Sequence, residues 1–291
     1  MKLNKKQAEM YIMLIPVIIL FSGLVFYPFF EGIRISLTNW NGYSQAFRYV
    51  GFENYTSMFG SRLFRVAVRN TFIYGIGCTL IQQVLGLGYA LFVNQKYRFR
   101  NLVRLVIYLP AMIAGIIMGY MMYGIFEFNR GALNDIVKLF GGSNVHWLGD
   151  GNIAVLIIVI VNAVQFVGVA MLIYLAGLQN IPQQLIEAGD VEGCSKWQSF
   201  RHITFPLLIP AITSSTIINL IGGLRLFDLI QALTSGGPGI ATHNIATIVN
   251  YLHFWNEDAG GAAAAGVILF GLIFIVSGIM TALLKRKEVE Y

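Results

Sequence analysis

The chain has 291 residues, of which 56% are hydrophobic and only 12% are charged. Soluble domains are about a quarter charged, so this composition excludes one and indicates a polytopic membrane protein. The formal charge of +6 fits loop lysines and arginines that set membrane orientation, and no basic stripe interleaved with aromatics suggests a nucleic-acid partner.

Lys2, Lys5 and Lys6 precede an apolar run over residues 11–30. The run is longer than a signal-peptide core and has no small-residue cleavage site. It is therefore expected to be a retained first span with a cytoplasmic amino terminus. Residues 31–69 form an external segment in which a short interfacial helix is expected, with Phe59, Leu63 and Val66 on one face. The second and third spans are expected over 71–93 and 102–125, joined by the basic connection NQKYRFRNLVR. Ala111, Gly115 and Gly119 follow one another at four-residue spacing in the third span, a stripe that lets helix backbones approach. Further spans are expected over 153–178, 205–226 and 262–284, giving one all-α transmembrane domain over 1–291.

Six spans put both termini and the polar loop 180–205 on one side. Lys96, Arg98, Arg100, Arg104, Lys196, Arg201, Lys285, Arg286 and Lys287 then fall inside, with the amino-terminal lysines. Arg34, Arg48, Arg62, Arg65, Arg69, Arg130 and Lys138 fall outside. The bias follows the positive-inside rule, although the first external segment alone holds five of these arginines.

The polar stretch EAGDVEGCSKWQSFRHITFPLLIP covers residues 187–210. Asn180 is expected to cap a short helix that has Pro182 in its first turn and breaks at Gly193. Ser195 and Gln198 match a capping box for a second short helix, with Trp197, Phe200 and Ile203 on one side and Pro206 at its junction with the next apolar run. On residues alone this is either a loop between spans or an element that docks in a partner's cleft.

The stretch resembles the signature loop of permease subunits in binding-protein-dependent importers driven by ATP-binding-cassette (ABC) subunits. Glu187-Ala188, Gly193, Phe200, Ile203, Pro206 and Pro210 are in register; Gly189, Glu192 and Cys194 depart from the usual Ala, Asp and Ala. A second resemblance lies in Leu233-Thr234-Ser235-Gly236-Gly237-Pro238-Gly239, with Thr242 and Tyr251 beyond it. It is similar to the first permease subunit of carbohydrate importers. The order Asn39-Trp40, Tyr49 to Tyr55 and Asn70-Thr71 is similar to the maltose and glycerol-phosphate type. The resemblance implies the type I ABC importer permease fold in a prokaryotic inner membrane. It implies a second homologous permease, two ATPase subunits carrying ATP and Mg, an extracellular solute-binding protein and a sugar substrate. It also implies ATPase coupling through Glu187, Ala188, Gly189, Gly193, Trp197, Phe200, Ile203 and Pro206.

The glycines and proline at 236–239 suggest a tight, exposed corner. Gly236, Gly237 and Pro238 are candidates for binding-protein docking or an outer gate, together with Arg225 and Asp228, which are three apart and also suit a local ion pair. The chain has no G-x-x-x-x-G-K-[ST], G-x-S-x-G or H-E-x-x-H motif, and its four histidines are scattered. Cys78 and Cys194 differ in expected depth. No enzyme, cofactor or metal role is expected for this chain.

Polar residues within spans need partners in hydrocarbon. Asn162 and Gln165 share a face of the fourth span; Thr216 and Asn219 share one on the fifth, as do Ser215 and Asn219. Interhelical hydrogen bonding, worth about 0.6 kcal/mol on average, is one reading. A substrate pathway is the other, with Gln82 and Gln83 as lesser candidates. Maltose-type permeases contribute polar residues from these two helices, so the resemblance implies the second. Neutral amides and hydroxyls at the span centres favour a neutral sugar over glycerol phosphate or a polyamine.

Overall fold

The computed structural model describes residues 14–286. Lys2, Lys5, Lys6 and Lys287, and the first residues of the first span, lie outside the described residues. Within the single domain expected, the described residues form two compact units: residues 14–61 with 248–268, and residues 62–247 with 269–286.

The first unit contains α1 (Leu14–Ser36), which includes a wide π turn at Ser22–Phe26, and α2 (Glu53–Gly60). Asn54 Nδ2 donates to the carbonyls of Ser36 and Thr38, each at 2.8 Å, and Thr38 bridges Tyr49. The Gly260 amide donates to the Trp40 carbonyl at 2.9 Å. The Asn39-Trp40 and Tyr49 to Tyr55 segments thus act as internal fasteners of this unit.

The second unit begins with α3 (Arg62–Asn94), a 33-residue helix. At 1.5 Å per residue it is about 50 Å long, well beyond a hydrocarbon core of about 30 Å. The helix thus begins at Arg62, nine residues before the expected span of 71–93, which it contains. Ser61, extended at ψ 136°, separates α2 from α3. Phe59 therefore lies on a different helix from Leu63 and Val66, and the expected single interfacial helix does not form.

The third span is broken. Helix α4 (Arg100–Met112) and helix α5 (Gly115–Phe126) meet at 96°. Pro110 sits in a closing 3-10 turn, and Ile113 and Ala114 are extended, so the ladder stops and the chain changes direction. The expected small-residue stripe is split, with Ala111 left on α4. Gly115 and Gly119 remain on one helix and admit α10 (Asp228–Leu233); a Cβ at 119 would lie 2.5 Å from that of Ala232. The break exposes the Ile113 carbonyl, and Gln165 Nε2 donates to it at 3.0 Å. Free backbone groups at membrane depth require such a partner.

Helix α6 (Ala132–Leu139) lies in the connection after α5, pinned by the fully buried Asn134. Its Oδ1 accepts from Val145 N and Trp147 Nε1, and its Nδ2 donates to the carbonyls of Phe128 and Val145. Helix α7 (Gly151–Gln179) is capped by Asp150 Oδ1, which accepts from the Asn152 and Ile153 amides. It is the central post of this unit, packed against α3 and against the later helix α9 (Lys196–Leu224). One apolar cluster gathers Tyr74, Ile158, Leu229 and Ile230; a second gathers Met171, Tyr174, Leu178 and Leu208.

After α8 (Gln183–Val191), helix α9 runs unbroken from Lys196 to Leu224. The short helix expected after Ser195 forms over Lys196–Ser199, and Pro206 stands in the first turn of Phe205–Leu224, at the junction expected of it; the pieces run on as one continuous helix. Proline lacks the N–H that would continue the α ladder. The chain instead widens to a π turn at Phe200–Thr204, where Phe205 N reaches back to Phe200 O. Helices α11 (Ile245–Phe254) and α12 (Ala259–Lys285) complete the described chain.

Candidate functional site

The corner between α8 and α9 is built by local signals. Pro182 is the N-cap of α8; Asn180, expected in that role, is instead the C-cap of α7. Helix α8 ends in a Schellman motif: Gly193 adopts φ +81°, its amide donates to Asp190 O at 3.1 Å, and the Cys194 amide donates to Gly189 O at 2.9 Å. The Ser195–Gln198 capping box forms in both directions. Gly189 is buried against Ile203, whose Cδ1 would lie 2.7 Å from an added Cβ.

Glu187 and Ala188 face solvent, with Gln183 Nε2 donating to Glu187 Oε1 at 2.8 Å. Trp197 is 66% exposed and stacks on Phe200, with ring centroids 5.7 Å apart. Ile203 and Pro206 are half-buried. Val191, at 89% exposure, belongs to the same protruding surface and escaped the sequence analysis. Its signal was a large apolar residue immediately before an acid-glycine corner.

Within the second unit, a cavity of about 350 Å³ is lined by Gln82, Asn162, Gln165, Asn219, Arg225 and Asp228, among others. Helices α3, α7 and α9 bring the four amides together. Gln82 Nε2 donates to the Asn162 carbonyl at 3.2 Å and to Asn162 Oδ1 at 3.4 Å. Asn219 Nδ2 donates to Ser215 Oγ at 3.3 Å. The amide oxygens of Gln82 and Gln165 are buried and accept no hydrogen bond from the described residues. Thr216, expected beside Asn219, is buried but is not part of this lining. Gln83 points elsewhere and accepts from the Tyr174 hydroxyl.

Arg225 and Asp228 do not form the ion pair that their spacing suggested. Helix α9 ends at Leu224, Arg225 is its C-cap, and Asp228 opens α10, so the two never share a helix face. Both line the cavity. Two charged residues assigned to the outer gate thus join the neutral amides in this lining.

The corner 233–239 is less exposed than its composition suggested. Gly236, at φ +87°, is buried, and a Cβ there would lie 2.1 Å from the His243 ring. Ser235 and Gly239 are exposed, whereas Gly237 and Pro238 are half-buried. The following segment is held by α3: Asn70 Nδ2 donates to the Ala241 and His243 carbonyls at 2.6 and 2.8 Å, and the Tyr74 hydroxyl donates to Thr242 O at 3.0 Å. Burial pushes the His243 imidazole below its ordinary pKa.

Five helices are long and apolar enough to cross a membrane, or six with the bent pair taken as one span, which makes this a multi-pass membrane protein. Residues 82–289 match the family of binding-protein-dependent transport system inner membrane components, and the chain belongs to that family. It is a transport permease rather than an enzyme.

The chain is 34% identical over 269 residues to the probable starch degradation products transport system permease protein AmyD of Thermoanaerobacterium thermosulfurigenes, covering 92% of this chain and 90% of that one. It is 31% identical over 274 residues to the trehalose/maltose transport system permease protein MalF of Thermococcus litoralis, covering 94% and 92%. A chain in the crystal structure of a bacterial alginate ABC transporter, in complex with its alginate pentasaccharide-bound periplasmic protein, superposes with a TM-score of 0.83 at 24% identity. That match covers 97% of this chain and 96% of the other. The shared fold is that of a type I ABC importer permease.

Proposed function

We propose that this permease forms half of the translocation pathway for a sugar or oligosaccharide in an ATP-driven importer. The observation that carries the reading is the polar cavity, where the Gln82 and Gln165 amide oxygens have no partner beside Asn162 and Asn219. Sugar hydroxyls both donate and accept, and can satisfy such oxygens as amides or water would. Arg225 is a cation in the lining, but Asp228 is there too, so the charges offset. That balance favours a neutral solute over glycerol phosphate or a polyamine. The relatives' names, which specify starch degradation products and trehalose/maltose, agree with it.

In this reading a second homologous permease completes the pathway, and an extracellular binding protein delivers the sugar. Two partner ATPases hold ATP and Mg. Their closure on ATP moves the 187–210 element of each permease, the cavity opens outward, and hydrolysis resets the inward state. Glu187, Ala188, Val191 and Trp197 are the exposed groups that would meet the ATPase. Ser235 and Gly239, rather than buried Gly236, are what the outer corner offers a binding protein.

Cells expressing the importer should take up labelled neutral oligosaccharides, and cells lacking this chain should not. Uptake of glycerol phosphate or spermidine in place of every sugar tested would reject the sugar assignment. The termini are assigned to the cytoplasm. With Cys78 and Cys194 replaced, an impermeant thiol reagent should label a cysteine at position 235 in intact cells, but not one at 95 or 183. The opposite pattern would invert the topology.

A further inference from the structure

Arg62, Arg65 and Arg69 occupy the first two turns of α3, on the side that the positive-inside rule leaves poor in cations. None of them forms an ion pair; the two pairs among the described residues join Glu31 with Arg34 and Asp135 with Lys138. Arg62 and Arg69 rim a groove of about 740 Å³ between α3, α7 and residues 238–241, with no carboxylate in its lining. Asp150, just outside, is engaged through Oδ1 in capping α7. Asn70, also in the lining, has its Nδ2 committed to two backbone carbonyls.

Below the arginines the walls turn apolar, through Val66, Ile73, Val155, Leu156 and Val159. From Gly151 to Val159 the groove descends about 12 Å along α7, at 1.5 Å per residue. Helix α3 is about 50 Å long, more than a hydrocarbon core needs, and its arginine-bearing first two turns are the part that hydrocarbon would exclude. The arginines thus stand at headgroup level and the apolar walls at acyl-chain level.

We propose that this groove binds an anionic phospholipid, its phosphate between Arg62 and Arg69 and an acyl chain along Ile73, Val155, Leu156 and Val159. Two unpaired cations supply charge complementarity for the phosphate. The apolar descent gives a chain somewhere to bury, which a free anion or the acidic face of a soluble protein would leave empty. The site is separate from the polar cavity and does not depend on which solute is carried.

The test uses the importer purified with its partner subunits, exchanged into lipid-free detergent and analysed by mass spectrometry for retained phosphatidylglycerol. The wild type should retain about one molecule per chain. Each arginine should contribute about fivefold to retention, so the Arg62→Gln/Arg69→Gln variant should bind about thirtyfold more weakly. Arg65→Gln, an exposed change outside the lining, should retain the lipid. In phosphatidylcholine nanodiscs, added phosphatidylglycerol should raise the melting temperature of the wild type but not of the double variant, whose melting temperature without it should match the wild type. Absence of retained phosphatidylglycerol, or equal retention by the double variant, overturns the proposal. So does the same stabilisation by inorganic phosphate alone, which identifies a free-anion site. A double variant that keeps its lipid but loses binding-protein affinity identifies a protein-docking surface and also overturns it.

Discussion

With valine at position 193, the assembled importer should still bind ATP and its binding protein, but the loaded binding protein should no longer stimulate hydrolysis or drive uptake. Gly193 holds φ +81° at the C′ position of a Schellman motif, and a Cβ there would meet nothing within 4 Å. The effect therefore comes from the backbone alone. A residue with a side chain in the left-handed region costs about 1–2 kcal/mol, and more if β-branched. At about 2 kcal/mol the productive corner is depopulated roughly thirtyfold. Asparagine tolerates the left-handed region, so Gly193→Asn should stay near wild type, with alanine between it and valine. Gly189→Ala should be mild despite the 2.7 Å approach, because the group in the way is the movable end of Ile203. Glu187→Lys reverses an exposed charge and should impair coupling without disturbing the corner. Stimulated hydrolysis that survives in Gly193→Val would remove this corner from the coupling path.

What the sequence made legible here was local. The helix-glycine-helix corner follows from Gly193, Ser195 and Gln198, each acting on neighbours within a few residues, and the structure forms the Schellman motif and capping box that they specify. Span count followed from hydropathy, which measures how many apolar residues pass but not their direction. The 96° break at Pro110–Gly115 was therefore invisible to it. That break is held by Gln165, 52 residues away, so no local pattern could reveal why the chain tolerates it. The Arg225–Asp228 spacing misled for a related reason. An i, i+3 pair meets only if one helix carries both residues, and here Arg225 caps the end of α9 while Asp228 opens α10. Burial of Gly236 under His243 likewise depends on a return of the chain that turn composition does not encode. The four amides were legible as polar residues at span depth. Their convergence on one cavity required the packing of α3, α7 and α9.

Asn162→Leu and Asn219→Leu should each lower transport about tenfold per assembled complex, the equivalent of roughly 1.4 kcal/mol of lost binding. Asn219 spends one amide hydrogen on Ser215 Oγ, and among the described residues no group donates to its oxygen. Leucine removes that acceptor while roughly keeping bulk. Asn162 accepts from Gln82 through both its side chain and its backbone carbonyl, so the leucine variant leaves Gln82 one of its two anchors. Neither change touches the 187–210 element, and basal ATP hydrolysis and assembly should persist. Gln165→Leu should behave differently. It strands the half-buried Ile113 carbonyl at the break of the third span, at a cost towards the lower end of the roughly 1–3 kcal/mol of a fully buried unsatisfied group. Its melting temperature should fall together with its transport. Uptake normalised to purified complex, measured beside thermal stability, separates the two kinds of residue. If Asn162→Leu and Asn219→Leu lower the melting temperature but leave normalised uptake unchanged, these amides join helices rather than meet sugar, and the pathway through this subunit lies elsewhere.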